Sequence, residues 1–340
     1  MPTTLTDKPA IRRRGGNGVD ALEDAGSTGL ATKDFIDTFL QRYPEKVLKS
    51  LLWDKTTKRN IIWADNEYEQ LGAGYGMYDE ITLDRITGEH SDLIMPRTEK
   101  DAESQAARTR THAEVFTPSW LCCRMNDDID EQWFGRPQAF TIMDGDTWAA
   151  TPMPVEFGEL DWHDYVDCLR LEITCGEAPF ICSRYDTVTG QPLPVESRIG
   201  FLDRKLRVVS ENANDYIMWR KYAYRALEST YGYEYQGDNL LVARINVLET
   251  FVEHMQARWN KEPDLSEIQH VANIIAWNLW QMDGFTDTPP SSVPVREIEP
   301  MDLFDTIDDP IEEKAKPCLI YDWRKRRPQT FASLKKSKGV

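Results

Sequence analysis

The sequence predicts an α/β protein, an open sheet preceded by a helical and irregular N-terminal region, and three segments carry that prediction. LRLEITCGEAPF, residues 169–180, is an apolar run ending in Cys175-Gly176, a strand feeding a tight turn. YGYEYQGD, residues 231–238, reads as a second short strand and turn. From Asn239 to about Trp259, the residues Leu241, Ile245, Leu248, Val252, Met255 and Trp259 recur at steps of four and three, the stripe of a core-facing helix. Asp238 stands where it can cap that helix. Strand, glycine turn, helix, strand, acidic residue and helix in this order form an open α/β sheet, whose ligands sit at the carboxyl ends of the strands.

The remaining elements follow along the chain. Residues 1–32 are rich in Gly, Asp, Thr and Arg without periodicity, and a mobile tail is expected. Residues 33–53 read as helix with a break near Pro44. Residues 59–110 mix short apolar pieces with polar ones. They lead into TEKDAESQAARTRTHAE, whose Arg97, Lys100, Arg108 and Arg110 surroundings are read as a solvated helix face. Residues 130–165 are aromatic and loop-rich, residues 212–230 read as helix, and Asp264 with Glu267 forms a capping-box start for a helix over 265–275. Residues 285–315 are rich in Pro and acid, as in a linker, and CLIYDW near the end is strand-like and followed by basic RKRRP and KKSK. The expected organisation is a tail (1–32), a mixed N-terminal region (33–110), the sheet-bearing domain (111–285) and a linker with a short basic segment (286–340).

Composition narrows the function. With 40 Lys and Arg against 57 Asp and Glu, the net charge of −17 disfavours a generic electrostatic binder of nucleic acid or anionic membrane. No apolar run reaches the ~18–20 residues of a membrane helix, so no membrane partner is expected. The N-terminus has no secretory apolar region, so the cytoplasm is expected. The six cysteines form no CxxC pair, and they read as small buried hydrophobes with no metal role. Gly176 at the first turn lets a backbone approach a ligand, and Glu234 ending the second strand can accept two hydrogen bonds from ribose hydroxyls. There is no GxxxxGK[ST] and no intact GxGxxG, so S-adenosyl-L-methionine suits the pattern better than a dinucleotide.

Four segments carry a family resemblance. AEVFTPSWL at 113–121 is similar to the GEVFTP segment that opens gamma-class N6-adenine DNA methyltransferases of restriction–modification systems. LEITCGEAPF at 171–180 resembles their first motif, YGYEYQGDNLLVARINVL at 231–248 their second, and NIIAWNLWQMDGF at 273–285 their third. The resemblance runs from about residue 97 to 285 and is nearest to restriction-endonuclease M subunits. It implies a methyltransferase-like, Rossmann-like open sheet with 171–175 central and Glu234 ending the adjacent strand. It also implies S-adenosyl-L-methionine as cofactor and DNA as partner, with cofactor contacts at Thr117, Pro118, Glu172, Cys175, Gly176, Glu234 and Asp283. Six of them have a plainer reading: Thr117 and Pro118 as helix N-cap and first helical residue, Cys175 as packing, Gly176 as an ordinary strand-end glycine, Glu234 as a helix-leading surface acid, and Asp283 as the start of an Asp-Gly turn.

Two departures from the family matter. Ile173 and Ala178 stand where Pro and a second Gly are usual. The catalytic tetrapeptide (Asn/Asp)-Pro-Pro-(Tyr/Phe), which holds a flipped base, is missing. The only Pro-Pro is Pro289-Pro290 in DTPPSS, and CLIYDWRKRRPQTFASL runs parallel to the segment preceding the tetrapeptide and then diverges. No catalytic residue is assigned. The expectation is a DNA adenine-N6 methyltransferase, or the modification subunit of one, for which a second restriction–modification subunit could supply the catalytic loop and target recognition; the alternative is a catalytically incomplete binding or regulatory subunit.

Overall fold

The computed structural model describes residues 35–100, 117–152, 154–290 and 316–337. The expected mobile tail, the basic stretch after Lys100, the AEVF of the first family segment and most of the linker lie outside them. The chain is a mixed α/β protein with small sheets, one of them parallel.

Helices Phe35–Arg42 and Glu45–Leu52 are separated at Pro44, as the proline requires. Their apolar faces, including Phe35, Phe39, Leu48 and Leu51, join a single core cluster that extends to Leu279. Residues 130–165 hold more order than their composition indicates. Strands β1 (Thr141–Asp144) and β2 (Thr147–Ala150) form a hairpin across Gly145-Asp146, with Gly145 at φ +60°. Glycine at the first of the two loop positions is the turn signal that marks it.

The parallel sheet consists of β3 (Arg170–Glu172), β4 (Thr230–Glu234) and β5 (Leu279–Gln281), in the order β3-β4-β5. The expectation that 171–175 is central is therefore corrected: β4 is central and β3 is an edge. The chain crosses from β3 to β4 through helices Phe201–Asn212 and Tyr216–Glu228 rather than one helix over 212–230. The sequence hid the first because its charged residues are buried. Arg204 pairs with Asp127 and Asp130, Lys205 donates to the Cys168 and Ser229 carbonyls, and Asp203 accepts from Ser183 and faces His254. Charged residues turned inward erase the apolar stripe that a sequence reading needs.

Helix Gly237–Trp259 follows β4. It starts earlier than expected, with Gln236 at the N-cap. Asp238 is not the cap; it lies in the first turn and accepts from the Tyr68 hydroxyl at 2.8 Å. Every residue from Gly237 to Val252 is buried, so the predicted stripe is one side of a fully sheathed helix. Gly237 has no alternative: a Cβ there would come within 2.0 Å of the Ile62 carbonyl oxygen.

Helix Leu265–Asn278 begins with the predicted capping box, both of its bonds present. It continues through NIIAWN, so β5 starts only at Leu279 and the segment likened to the third motif is half helix. The side chain of Gln281 ties the end of β5 to the N-terminal region and to the end of β4. Its Oε1 accepts the Ile62 N–H at 2.9 Å, and its Nε2 donates to the Ile62 and Tyr235 carbonyls at 2.8 Å each. CLIYDW forms β6 (Leu319–Asp322), which pairs with β7 (Arg327–Thr330) in a hairpin whose turn carries the basic run. The hairpin packs on the β4–β5 side through Tyr233, Trp280, Ile320 and Phe331.

Glu253 on the sheathed helix pins the 183–198 loop, meeting Arg184 and Arg198 at 2.6 Å each. Burial alone would raise its carboxyl, but the two guanidinium groups outweigh burial and hold it at about 2. The folded value lies below the ordinary 4.5, so this stabilisation is present above pH 4.5 and is lost as pH falls towards 2. Urea midpoints measured across that window are expected to fall steeply, and less steeply in Glu253→Gln. Identical acid limbs would remove the pairing from the account of stability. Among the described residues, no helix is long and apolar enough to cross a membrane, and no group of three His, Cys, Asp or Glu could hold a metal ion.

Candidate functional site

The carboxyl ends of β3 and β4 open into a cleft of about 1130 Å³. Its walls are Thr117 and helix Ser119–Phe134 on one side, β3 and its turn along the length, and Glu234 to Gln236 with Asn239 at the foot of the sheathed helix.

The turn after β3 is unusual. Thr174, Gly176 and Ala178 take φ of +46°, +52° and +67°. Only the glycine adopts this region freely, and a β-branched threonine there is strained. Ala178, which replaces the family's second glycine, thus keeps a glycine-like backbone. The turn is held by its own bonds: Cys175 N–H to the Tyr233 carbonyl at 2.8 Å, and Ala178 N–H to the Cys175 carbonyl at 2.7 Å. The Glu172 carboxylate accepts the N–H groups of Phe180 and Ile181 at 3.4 and 3.1 Å. Glu172 therefore organises the loop from beneath.

Gly176 and Glu234, expected within reach of one nucleoside, touch directly. The Gly176 N–H donates to Glu234 Oε2 at 2.8 Å. Glu234 Oε1 accepts the N–H groups of Tyr235 and Gln236 at 2.9 and 3.1 Å. Three of about four lone-pair positions on the carboxylate are thus filled, leaving space for one incoming hydroxyl rather than two. Burial pushes the Glu234 carboxyl up, partly offset by these three N–H groups. Burial raises Glu172 further, with the charge of nearby Glu234 adding to it.

The other expected site residues divide. Thr117 borders the cleft, and its carbonyl accepts the Thr187 hydroxyl at 2.9 Å. Pro118 does not border it; it occupies the N-cap position rather than the first helical one, and its carbonyl accepts from Leu121 and Cys122. Cys175 lines the cleft but is buried and lies beside Gly232, and burial raises its thiol well above the usual range. Asp283 lies away from the cleft. Its Oδ1 accepts the Phe285 N–H at 2.8 Å, an Asp-Gly turn closed by the bond from its own N–H to Thr288. Pro289 and Pro290 do not border the cleft either.

The sequence reading missed what holds the cleft wall. Asp130 accepts from Arg170, from Arg204 at 2.7 Å and from the Tyr165 hydroxyl at 2.9 Å. The Asn126 amide bridges the Phe180 and Ile199 carbonyls at 3.1 Å each. Nothing within MNDDIDEQW separates these polar residues from a solvated face; only the buried arginines facing them do. No protein-family model, curated protein or solved structure matches this chain, so the functional reading rests on the cleft and the sequence motifs.

Proposed function

We propose that the cleft binds S-adenosyl-L-methionine and that the chain is a methyltransferase-like subunit for N6-adenine modification of DNA in a restriction–modification system, acting in the cytoplasm. The observation that carries this reading is the Gly176–Glu234 contact at the carboxyl ends of two adjacent parallel strands. A turn glycine and a ribose-accepting acid meet there with no phosphate cradle, which suits a nucleoside without a polyphosphate. Glu234 would hold a ribose hydroxyl, the 174–178 backbone would lie against the ligand, and Thr117 would close one end. When bound, the cofactor supplies an activated methyl group on its sulfonium, so positioning is the main task left to the protein.

A second reading, a catalytically incomplete binding or regulatory subunit, is favoured by one feature. In doubly wound sheets the ligand lies where strand order reverses, beside the first strand. Among the described residues no strand pairs with the outer side of β3, and none of the cleft residues supplies the family's tetrapeptide. A partner subunit would then bring the catalytic loop and target recognition.

Calorimetry with S-adenosyl-L-methionine and its demethylated product tests the site, and a tritiated-methyl assay on unmethylated genomic DNA tests catalysis. The expected result is binding heat with little or no transfer by the chain alone. No heat with either form would reject the cofactor reading. Robust turnover by the chain alone would reject incompleteness, because an amino group without fixed geometry loses on the order of 100-fold in rate per ~1 Å of misplacement.

A further inference from the structure

We propose that the free edge of β3 pairs with the same edge of a second copy of this chain, antiparallel and centred on Leu171. Nothing among the described residues pairs with the outer side of β3. Arg170 directs its N–H to Ser229, towards β4. By strand alternation, the N–H and C=O of Leu171 face outward.

The side chains along this edge are apolar and bare. Leu169, Leu171 and Ile173 are 42%, 41% and 63% exposed, and Met125 and Ile129 on the neighbouring helix are 46% and 49% exposed. All five border the same cleft. A bare apolar edge of this kind invites pairing, and native proteins cover or charge such edges.

The sequence of the edge selects the occupant. A two-fold axis through Leu171 sets Leu171 opposite its copy, Leu169 opposite Ile173, and Arg170 opposite Glu172. Apolar residues meet apolar residues on one face, a cation meets a carboxylate on the other, and like charges never face each other. Such self-complementarity is what an isologous interface requires. Arg170 also has Nε and Nη1 buried with no acceptor among the described residues. The pairing merges two parallel sheets into one and places the second copy along the open side of the cleft. It stands independently of the cofactor reading.

Sedimentation velocity of the full chain across micromolar concentrations tests the pairing. A dimer is expected. Leu171→Lys sets two like charges opposite each other and is expected to weaken the dimer by about 100-fold or more. Its melting temperature as a monomer should be retained, because Leu171 is already exposed. Leu171→Cys is expected to form an intermolecular disulfide on oxidation, since directly opposed, hydrogen-bonded residues lie about 5.5 Å apart. Val188→Lys, on another exposed surface, should leave the dimer intact. A monomeric wild type would overturn the proposal, leaving the edge to residues 101–116 or 291–315 or to a different protein. So would a dimer that survives Leu171→Lys and gives no Leu171→Cys disulfide. Cofactor titration of the wild-type chain at concentrations below its dimer dissociation constant reads the proposed function separately.

Discussion

Asp130→Ala is expected to cost the fold about 3–5 kcal/mol, the loss typical when one partner of a buried ion pair is removed. Asp130 accepts from Arg170, Arg204 and Tyr165, and all three of these groups are buried. Arg204 would retain Asp127 at 2.9 Å, while Arg170 would lose the carboxylate it pairs with. The Arg170 guanidinium would then sit in a low-dielectric interior with unmatched charge, which is costlier than losing a hydrogen bond. Urea denaturation at neutral pH measures the loss. Asp130→Asn, which keeps an acceptor oxygen but no charge, should fall between wild type and alanine. Replacing Asp130 and Arg204 together with leucine and methionine should recover part of the loss, because an apolar substitute removes charge and counter-charge at once. A cost below about 1 kcal/mol would mean that water reaches the network and screens it, as at exposed pairs. The same network fixes helix Ser119–Phe134 against β3, so ligand affinity should fall with stability in this variant.

Glu234→Ala is expected to act on binding and folding together. If a ribose hydroxyl takes the remaining lone-pair position, a charge-assisted bond worth about 1.5–3 kcal/mol is lost, roughly 10- to 100-fold in affinity. The N–H groups of Gly176, Tyr235 and Gln236 also lose their acceptor, so the melting temperature should drop. Glu234→Gln separates the effects: an amide oxygen still accepts, which spares more of the fold than of the affinity. The carboxyl is raised by burial, so cofactor affinity should also weaken as pH is lowered and Glu234 takes up a proton, while the Glu234→Gln variant should show a flatter profile. Calorimetry and thermal melts on the same samples decide it. Unchanged affinity together with a lowered melting point would reduce Glu234 to a structural clamp on the turn.

The parts of this architecture that can be read from sequence are those encoded locally. The turn at Gly176, the strand before Glu234, the Asp264–Glu267 box and the Leu241–Trp259 stripe each lie within a few residues and obey one period or one cap rule. The parts that escape such a reading depend on distant partners. Helix Phe201–Asn212 is invisible in the sequence because its Arg204 and Lys205 are satisfied by residues from elsewhere in the chain. Asp238 looks like a cap until Tyr68 is seen to hold it, and Asp283 has the same sequence whether it meets a ligand or closes a turn. NIIAWNLWQM is almost continuously apolar, so no break in period marks where helix gives way to strand. LRLEI alternates as a half-buried strand should, but strand order alone decides that its outer side is bare.

The clamp between Gln281 and Ile62 has a consequence for how the chain is made. The two residues are 219 positions apart, so the clamp cannot form until residue 281 has left the ribosome. Thr56 waits longer still for Leu319, 263 positions on, and Leu51 waits 193 positions for Arg244. At about 5–20 residues per second, synthesis takes roughly 10–45 s to cover the stretch between Ile62 and Gln281. Helix Glu45–Leu52 packs on helices Gly237–Trp259 and Leu265–Asn278, so Val47, Leu48, Leu51 and Leu52 wait through most of that interval for those surfaces. Helices Phe35–Arg42 and Glu45–Leu52 are thus translated well before the elements that bury them, and they are the segment where a nascent-chain chaperone would be expected to bind.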